Sequence, residues 1–393
     1  MEYQRYQLRD IGDIVSGATP KTTVAENFGG AIPWLTPADL SGYTQKYISR
    51  GKRNLTQLGY DSCSTQIMPS GTVLFSSRAP IGYTAIAKNP ICTNQGFKSI
   101  VPKPFVNSEF LYYQLIYLRK TIQDMGSGTT FKEISAKKFG AVQVTIPPLV
   151  EQEHIISRIE ELFSQLDASV AELKTAKERL KVYRQAVLKE AFSKFDGSIE
   201  KTISSVCENI VDCPHSTPKW VQKGKLCLRT TNFKPGYLNL SEKNYVSEET
   251  FCERISRLAP KPGDVLFSRE GAILGIACII PDGLEVCMGQ RMMLLRPSED
   301  LLNKYLMYYL NSPKARTLII ENVGGTASPH INVGDIKNFT IPIIPFAQQQ
   351  SVVAEIESRL SVCDNIEKTV GTALQQAEAL RQSILKIAFE GGL

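Results

Sequence analysis

The sequence holds only three histidines, and its nine cysteines are odd in number, scattered, and never spaced as Cys-x-x-Cys. That excludes a zinc ribbon or a disulfide framework and fits reduced thiols, so the expected location is cytoplasmic. His154, His215 and His330 lie far apart, and none has a second ligand at metal spacing, so neither a metal nor a cofactor is expected. Long apolar runs are missing too. The longest, Ala272 to Ile280, stops at Pro281, far short of a bilayer span. Met1-Glu2-Tyr3-Gln4-Arg5 lacks the apolar stretch of a secretion signal, and none is expected. Catalytic signatures are also absent: no Gly-x-x-x-x-Gly-Lys-Ser/Thr, no Gly-x-Gly-x-x-Gly after a strand, no Asn/Asp-Pro-Pro-aromatic segment. Pro281-Asp282 with Glu285-Val286-Cys287 approaches a nuclease core, but a cysteine stands where the lysine belongs. These absences point away from an enzyme.

What is present is a long amphipathic segment, Pro148 to about Phe195. Ile159, Leu166, Leu173, Leu180 and Val187 recur every seven residues, flanked by Ile156, Phe163, Val170 and Ala191, with charges between them. This is the pattern of a coiled-coil seam. A second copy, Pro345 to about Glu390, puts Ile356, Cys363, Val370, Ala377 and Ile384 on the same seam. Cys363, Ala377 and the nearby Gly371 make that copy the weaker one. The prolines suit helix starts, and Asp196-Gly197 and Gly391-Gly392 suit helix ends. At 1.5 Å per residue, about 42 helical residues make a rod of about 60 Å, too narrow-faced to stand without a partner.

The whole chain is duplicated around these helices. Gly71-Thr72-Val73-Leu74-Phe75-Ser76 returns as Gly263-Asp264-Val265-Leu266-Phe267-Ser268, and Gly128-Thr129 with Ile134 as Gly325-Thr326 with Ile331. Gln152 and Asp167 return as Gln349 and Asp364; more faintly, Thr19-Pro20-Lys21 resembles Thr217-Pro218-Lys219. The expected architecture is α+β: two pseudo-symmetric domains, 1–147 and 198–344, separated by two long helices, 148–197 and 345–393, that form an antiparallel coiled coil. Val73–Ser76 and Val265–Ser268 are predicted strands, Phe110–Leu118 and Leu302–Leu310 helices, and Val142–Ile146 and Phe339–Ile343 strands feeding the long helices. Ser16–Thr23, Gly126–Thr130 and Gly324–Pro329 are predicted loops. Helices paired about a two-fold axis would hold two unlike readers at a fixed separation, a geometry suited to half-sites on double-stranded DNA.

Net charge is +6, concentrated in residues 1–148, where 16 Lys and Arg face 9 Asp and Glu. A polyanion partner and an ordinary solvated surface would both accept this excess. If the partner is DNA, arginine suits guanine edges, while lysines and hydroxyls fix phosphates. The candidates in the first domain are Lys46, Arg50, Lys52 and Arg53, interleaved with Tyr43 and Tyr47, then Arg78, Lys132, Lys137 and Lys138. In the second they are Lys219, Lys223, Lys225, Arg229 and Lys234, then Arg269, Arg291 and His330, with His215 and Lys337 beside them. An arginine after a buried strand can instead brace a loop, and Arg269-Glu270 is such a candidate pair.

In Gly263 to Arg269 with its counterpart ending Ser76-Ser77-Arg78, in Ile146-Pro147-Pro148-Leu149-Val150-Glu151-Gln152, and in the helix exits Ala191-Phe192 and Ala388-Phe389-Glu390-Gly391, the chain resembles the specificity subunits of type I restriction–modification systems. The motifs are individually weak, but their twice-repeated order is specific and covers nearly the whole chain. The resemblance implies a non-catalytic DNA-recognition subunit whose two target-recognition domains each read half of a bipartite asymmetric site. It also implies helices that dock two methyltransferase subunits, joined by translocase–endonuclease restriction subunits, in a system of DNA methylation and phage defence. Gln348-Gln349-Gln350 stands where the first helix starts with Glu151-Gln152-Glu153, which would make the two docking sites unequal. A helical scaffold or adaptor, or a remnant of a fused methyltransferase–endonuclease, are the competing readings.

Overall fold

The computed structural model describes residues 4–128, 132–324 and 329–391. Met1, Glu2, Tyr3, Thr129, Thr130, Gly325, Thr326 and Gly392, named above, lie outside them. The chain divides into two compact units, Met1–Leu173 with Thr372–Leu393, and Lys174–Gly371.

In the first unit a five-stranded sheet runs in the order Gly12–Ser16, Lys98–Pro102, Val73–Phe75, Thr84–Ala87, Tyr47–Ile48, antiparallel except for the last pair. Its central strand is apolar throughout because both faces are covered. Val73 and Phe75 face a core with Phe110 and Phe139, while Leu74 faces another with Leu35, Ile48 and Phe97. The second unit repeats the device: Val265 and Phe267 pack with Tyr305 and Tyr309, and Leu266 with Phe233 and Met288. This is the two-residue period of a strand buried between two layers. The covering helices are Ser108–Tyr117, capped by the Asn107 side chain, and Asn303–Leu310. Gln143–Ile146 and Thr340–Pro342 lead into the long helices, Leu149–Ser193 and Phe346–Phe389.

Each unit contains part of both long helices. In the first, Ile155, Ile156 and Ile159 enter the domain core together with Leu385 and Ala388. Ile155 lines one cavity with Ala388, and further along Asp167 bonds Arg381, whose guanidinium lies 4.4 Å over the Phe163 ring. In the second, Val187, Leu188, Ala191 and Phe192 pack with Val352, Val353 and Ile356, while Arg184 bonds Asp364 at 2.6 Å, Glu190 bonds Arg359 at 2.8 Å and Lys194 bonds Glu355 at 3.2 Å. In both units numbering rises on one helix as it falls on the other, so the packing is antiparallel. Asp167–Arg381 and Arg184–Asp364 are the same pair with the helices exchanged.

Of the seam positions, Ile159, Val187, Ile356, Cys363, Val370 and Ile384 are buried, and Leu166, Leu173, Leu180 and Ala377 are half-buried. Gly391, at φ of 88°, takes the left-handed conformation that ends a helix at low cost in glycine, whereas Gly197, at φ of 90°, lies in a turn four residues beyond the end of the first helix at Ser193.

A buried glutamine joins each helix start to its domain. Gln152 accepts from Asn107 N at 2.8 Å and donates to Phe105 O and Pro147 O; Gln349 accepts from Leu302 N at 2.8 Å and donates to Asp300 O and Ile344 O. Its neighbours Gln348 and Gln350 are exposed, so the departure from Glu151 and Glu153 changes the surface and leaves this clamp intact.

Candidate functional site

In the second unit four loops converge on a cleft of about 310 Å³ lined by Thr217, Trp220, Arg229, Thr230, Thr231, Glu270, Gln290 and Arg291 among others. They follow the strand Cys207–Asp212, follow Lys225–Leu228, follow Val265–Ser268, and precede Met292–Pro297. Three of these strands lie side by side in one sheet and Lys225–Leu228 in another, and their ends bring residues distant in sequence together.

Buried charge fixes the loops. Asp212 takes a bidentate contact from Arg269, Nε at 2.8 Å and Nη2 at 2.9 Å, and lies 3.1 Å from His215 Nε2. Arg254, 5% exposed, donates to Met288 O at 2.9 Å, to Gly289 O at 3.0 Å and to Ser216 O, tying two loops together. Gln290 donates to His215 O at 2.6 Å and accepts from the Thr217 hydroxyl at 3.5 Å. The exposed Trp220 carries Arg229 at 5.7 Å from its ring centroid, an open cation–π platform of a kind that suits bases.

The first unit repeats the threonine–glutamine latch among bonds of its own. Ala18 N bonds Thr93 O, Trp34 Nε1 bonds Ala18 O at 3.1 Å, and the Thr19 hydroxyl donates to Gln95 Oε1. The Thr-Pro-Lys repeat is therefore a latch, its threonine holding a glutamine on the neighbouring turn in both units. Asp39 closes another loop by accepting from Thr36 N and Lys52 N at 2.8 and 2.9 Å. Lys98 is 8% exposed, with its closest carboxylate, Glu133, at 3.9 Å. Burial pushes its pKa below the ordinary lysine value, Glu133 opposing and Arg78 adding to the shift.

The predicted residues divide. Arg229 and Arg291 line the cleft, Lys219 follows its Thr217-Pro218 wall, and His330 pairs by backbone with Glu270. Arg78 is half-buried beside Glu133 at 3.7 Å. Lys52 joins the frame through its backbone, whereas Arg50 and Arg53 are exposed next to it, Arg53 over the Phe28 ring. Lys132, Lys137, Lys138, Lys223 and Lys234 are exposed, Lys138 reaching Met125 O.

Three residues have other bonds. Lys46 contacts Glu109 and Glu160 beside the long helix; burial alone would lower its pKa, and these hydrogen bonds outweigh it and leave it raised. Lys225 pairs with Glu285 at 2.7 Å. Arg269 is the expected brace, but its acid is Asp212 and not the adjacent Glu270. The backbone register also shows that the counterpart of Arg269 is Ser77, not Arg78, since both donate to the turn before the next strand and accept from Ile134 or Ile331. Gln95, Gln290, Asp212, Arg254, Trp220, Lys98 and Glu133 were missed. Only the two glutamines left a sequence signal, each standing three residues after a cysteine, Cys92 and Cys287, in its own copy. Among the described residues no group of three or more His, Cys, Asp or Glu could hold a metal ion, and no helix is long and apolar enough to cross a membrane.

Residues 1–178 and 214–376 match the type I restriction modification DNA specificity domain. The MjaIX specificity subunit of Methanocaldococcus jannaschii is 41% identical over 194 residues, 48% of this chain and 44% of that protein. The EcoBI specificity subunit of Escherichia coli is 24% identical over 424 residues, 99% of this chain and 86% of that protein, and the EcoKI subunit 26% identical over 355 residues, 84% and 76%. Among solved structures, a chain from work on complex assembly and conformational transition of the type I R-M system aligns over 100% of this chain and 98% of its own, with TM-score 0.75 and 21% identity. The HsdS subunit from Thermoanaerobacter tengcongensis aligns with TM-score 0.56 and 20% identity, over 100% and 97%. At such identities these two speak to the fold.

Proposed function

The chain belongs to the type I restriction–modification specificity-subunit family, where this subunit is the non-catalytic component that carries DNA specificity, and from that membership we propose how it divides its work. Residues 1–147 and 198–344 act as two target-recognition domains, each reading one half of a bipartite, asymmetric site on double-stranded DNA. The spans 148–197 and 345–393 are the spacer, and they dock two methyltransferase subunits, with restriction subunits completing the complex.

One observation carries this reading: the latched loop frame occurs twice, with the same backbone bonds and different side chains on it. A shared frame with unlike side chains is what two readers of unlike sequences need, because base edges are distinguished by the donors and acceptors presented to them. Lysines on the surrounding surface supply the phosphate contacts that position the duplex.

The test is an exchange of residues 1–147 for the corresponding domain of another specificity subunit, followed by mapping of modified bases across the host genome. One half of the target should change and the other persist. A target altered in both halves, or one continuous site, would overturn the division.

A further inference from the structure

The repeated frame fixes which positions correspond, and besides Ser77 and Arg269 three of them differ in chemistry. Ser77 N and Arg269 N donate to Gly96 O and Arg291 O at 2.7 and 3.0 Å, while Ile134 N and Ile331 N donate back to Ser77 O and Arg269 O at 3.0 and 2.9 Å. In that register Arg78 corresponds to Glu270, Gly96 to Arg291 and Glu133 to His330; Arg78 pairs by backbone with Glu133 as Glu270 does with His330. Each frame thus carries a partly exposed arginine near a carboxylate, on different loops in the two units.

These two contacts are unlike the other arginine–carboxylate pairs around them. Arg78–Glu133 is 3.7 Å and Arg291–Glu270 3.8 Å, with the arginine side chains 35% and 55% exposed. Arg269–Asp212 and Arg296–Asp264 are bidentate, at 2.8 to 2.9 Å, and nearly buried. A long, open, single contact holds a guanidinium weakly, so little is lost when it turns to another planar acceptor.

The backbone at Arg291 points the same way. Its φ of 66° is a left-handed conformation that long side chains rarely adopt, and such strain persists where the surroundings impose it. Both ends of the preceding Gln290 amide are already bonded, to His215 O and Thr217. Gln290 therefore anchors the turn and Arg291 is what the turn presents.

We propose that Arg78 and Arg291 are the guanine-reading residues of the two units, each resting on its carboxylate, Glu133 or Glu270, until O6 and N7 of a guanine take the carboxylate's place. The inference rests on the DNA-specificity reading above and narrows it to one residue per half-site.

The test uses the full chain assembled with its modification partners, DNA binding at two salt concentrations, and a panel of sites with each base pair replaced in turn. The variants are Arg78→Gln and Arg291→Asn, asparagine being at ease in the left-handed region. Each should relax the preference for one G·C pair, by roughly 5- to 150-fold, in one half-site only and in different halves, with the salt dependence unchanged. Glu133→Gln and Glu270→Gln should keep those preferences. Uniform weakening over all sequences with a shallower salt dependence would mean a phosphate contact and overturn the proposal while the DNA-specificity reading stands. Unchanged preference, or both variants acting on one half, would overturn it equally. A wild-type complex with no sequence preference would instead bring down the parent reading, and this inference with it.

Discussion

Gln152 and Gln349 show how much one buried amide decides. Each side chain, fully buried, meets one N–H and two carbonyls where a domain joins its long helix. Leucine at position 349 would fill the volume yet leave Leu302 N, Asp300 O and Ile344 O without partners. A stranded buried polar group costs about 1–3 kcal/mol, and part is regained by water or by shifts of the chain. Gln349→Leu should therefore lower stability by about 3 kcal/mol, whereas Gln348→Ala and Gln350→Ala, at exposed positions of the same turn, should stay within about 0.5 kcal/mol. Urea-unfolding midpoints of the three variants decide it, and equal shifts for all three would remove the clamp from the account. The same residue-level logic separates the arginines. Arg269 and Arg254 are buried and hold loops in place through several hydrogen bonds, whereas Arg291 is open and its nearest contact to Glu270 is 3.8 Å.

At the level of elements, the long helices gain their stability from where each stretch lies. Ile159 of the first helix and Ile356 of the second enter domain cores and are fully buried, Cys363 and Val370 are also buried, and Leu166, Leu173 and Leu180 are half-buried. Gly371 lies inside the second long helix, and a Cβ added there would meet nothing within 4 Å. Gly371→Ala should stabilise the chain by about 0.5–1 kcal/mol, by restricting the unfolded backbone and improving helix propensity. A drop in the urea midpoint would mean that the helix is distorted at that residue.

These helices were legible in the sequence because a seven-residue period is a local signal written many times over. The central strands were legible too, since Val265-Leu266-Phe267 is apolar on both faces. The loop cluster was largely not. Its bonds join Asp212 to Arg269 and Gln290 to Thr217, contacts that exist only once the sheet has set strand ends side by side. Charge runs misled for the same reason: Lys46 looks free beside Arg50 and Lys52, but Glu109 and Glu160 reach it from distant segments.

For the molecule as a whole, duplication explains why insertions shifted the repeat offset in the loops while the helix pairs kept theirs. Asp167 with Arg381 and Asp364 with Arg184 have the same spacing in both copies, as the seam requires, since a shift on one helix would put charges where Leu173 or Val370 now pack. If the paired helices set the separation of the two half-sites, their length is a ruler that can be changed only in whole seam repeats. Seven residues added to each helix, one repeat in each, keep every apolar position in register and extend the pair by about 10 Å, close to three base pairs at about 3.4 Å each. The modified complex should then recognise the same two half-sites with a spacer about three base pairs longer, read directly from a genome-wide map of modified bases. Seven residues in one helix alone leave the second seam unmatched and should cost folding or assembly. An unchanged spacer in a folded, active variant with both insertions would show that something other than helix length measures the distance.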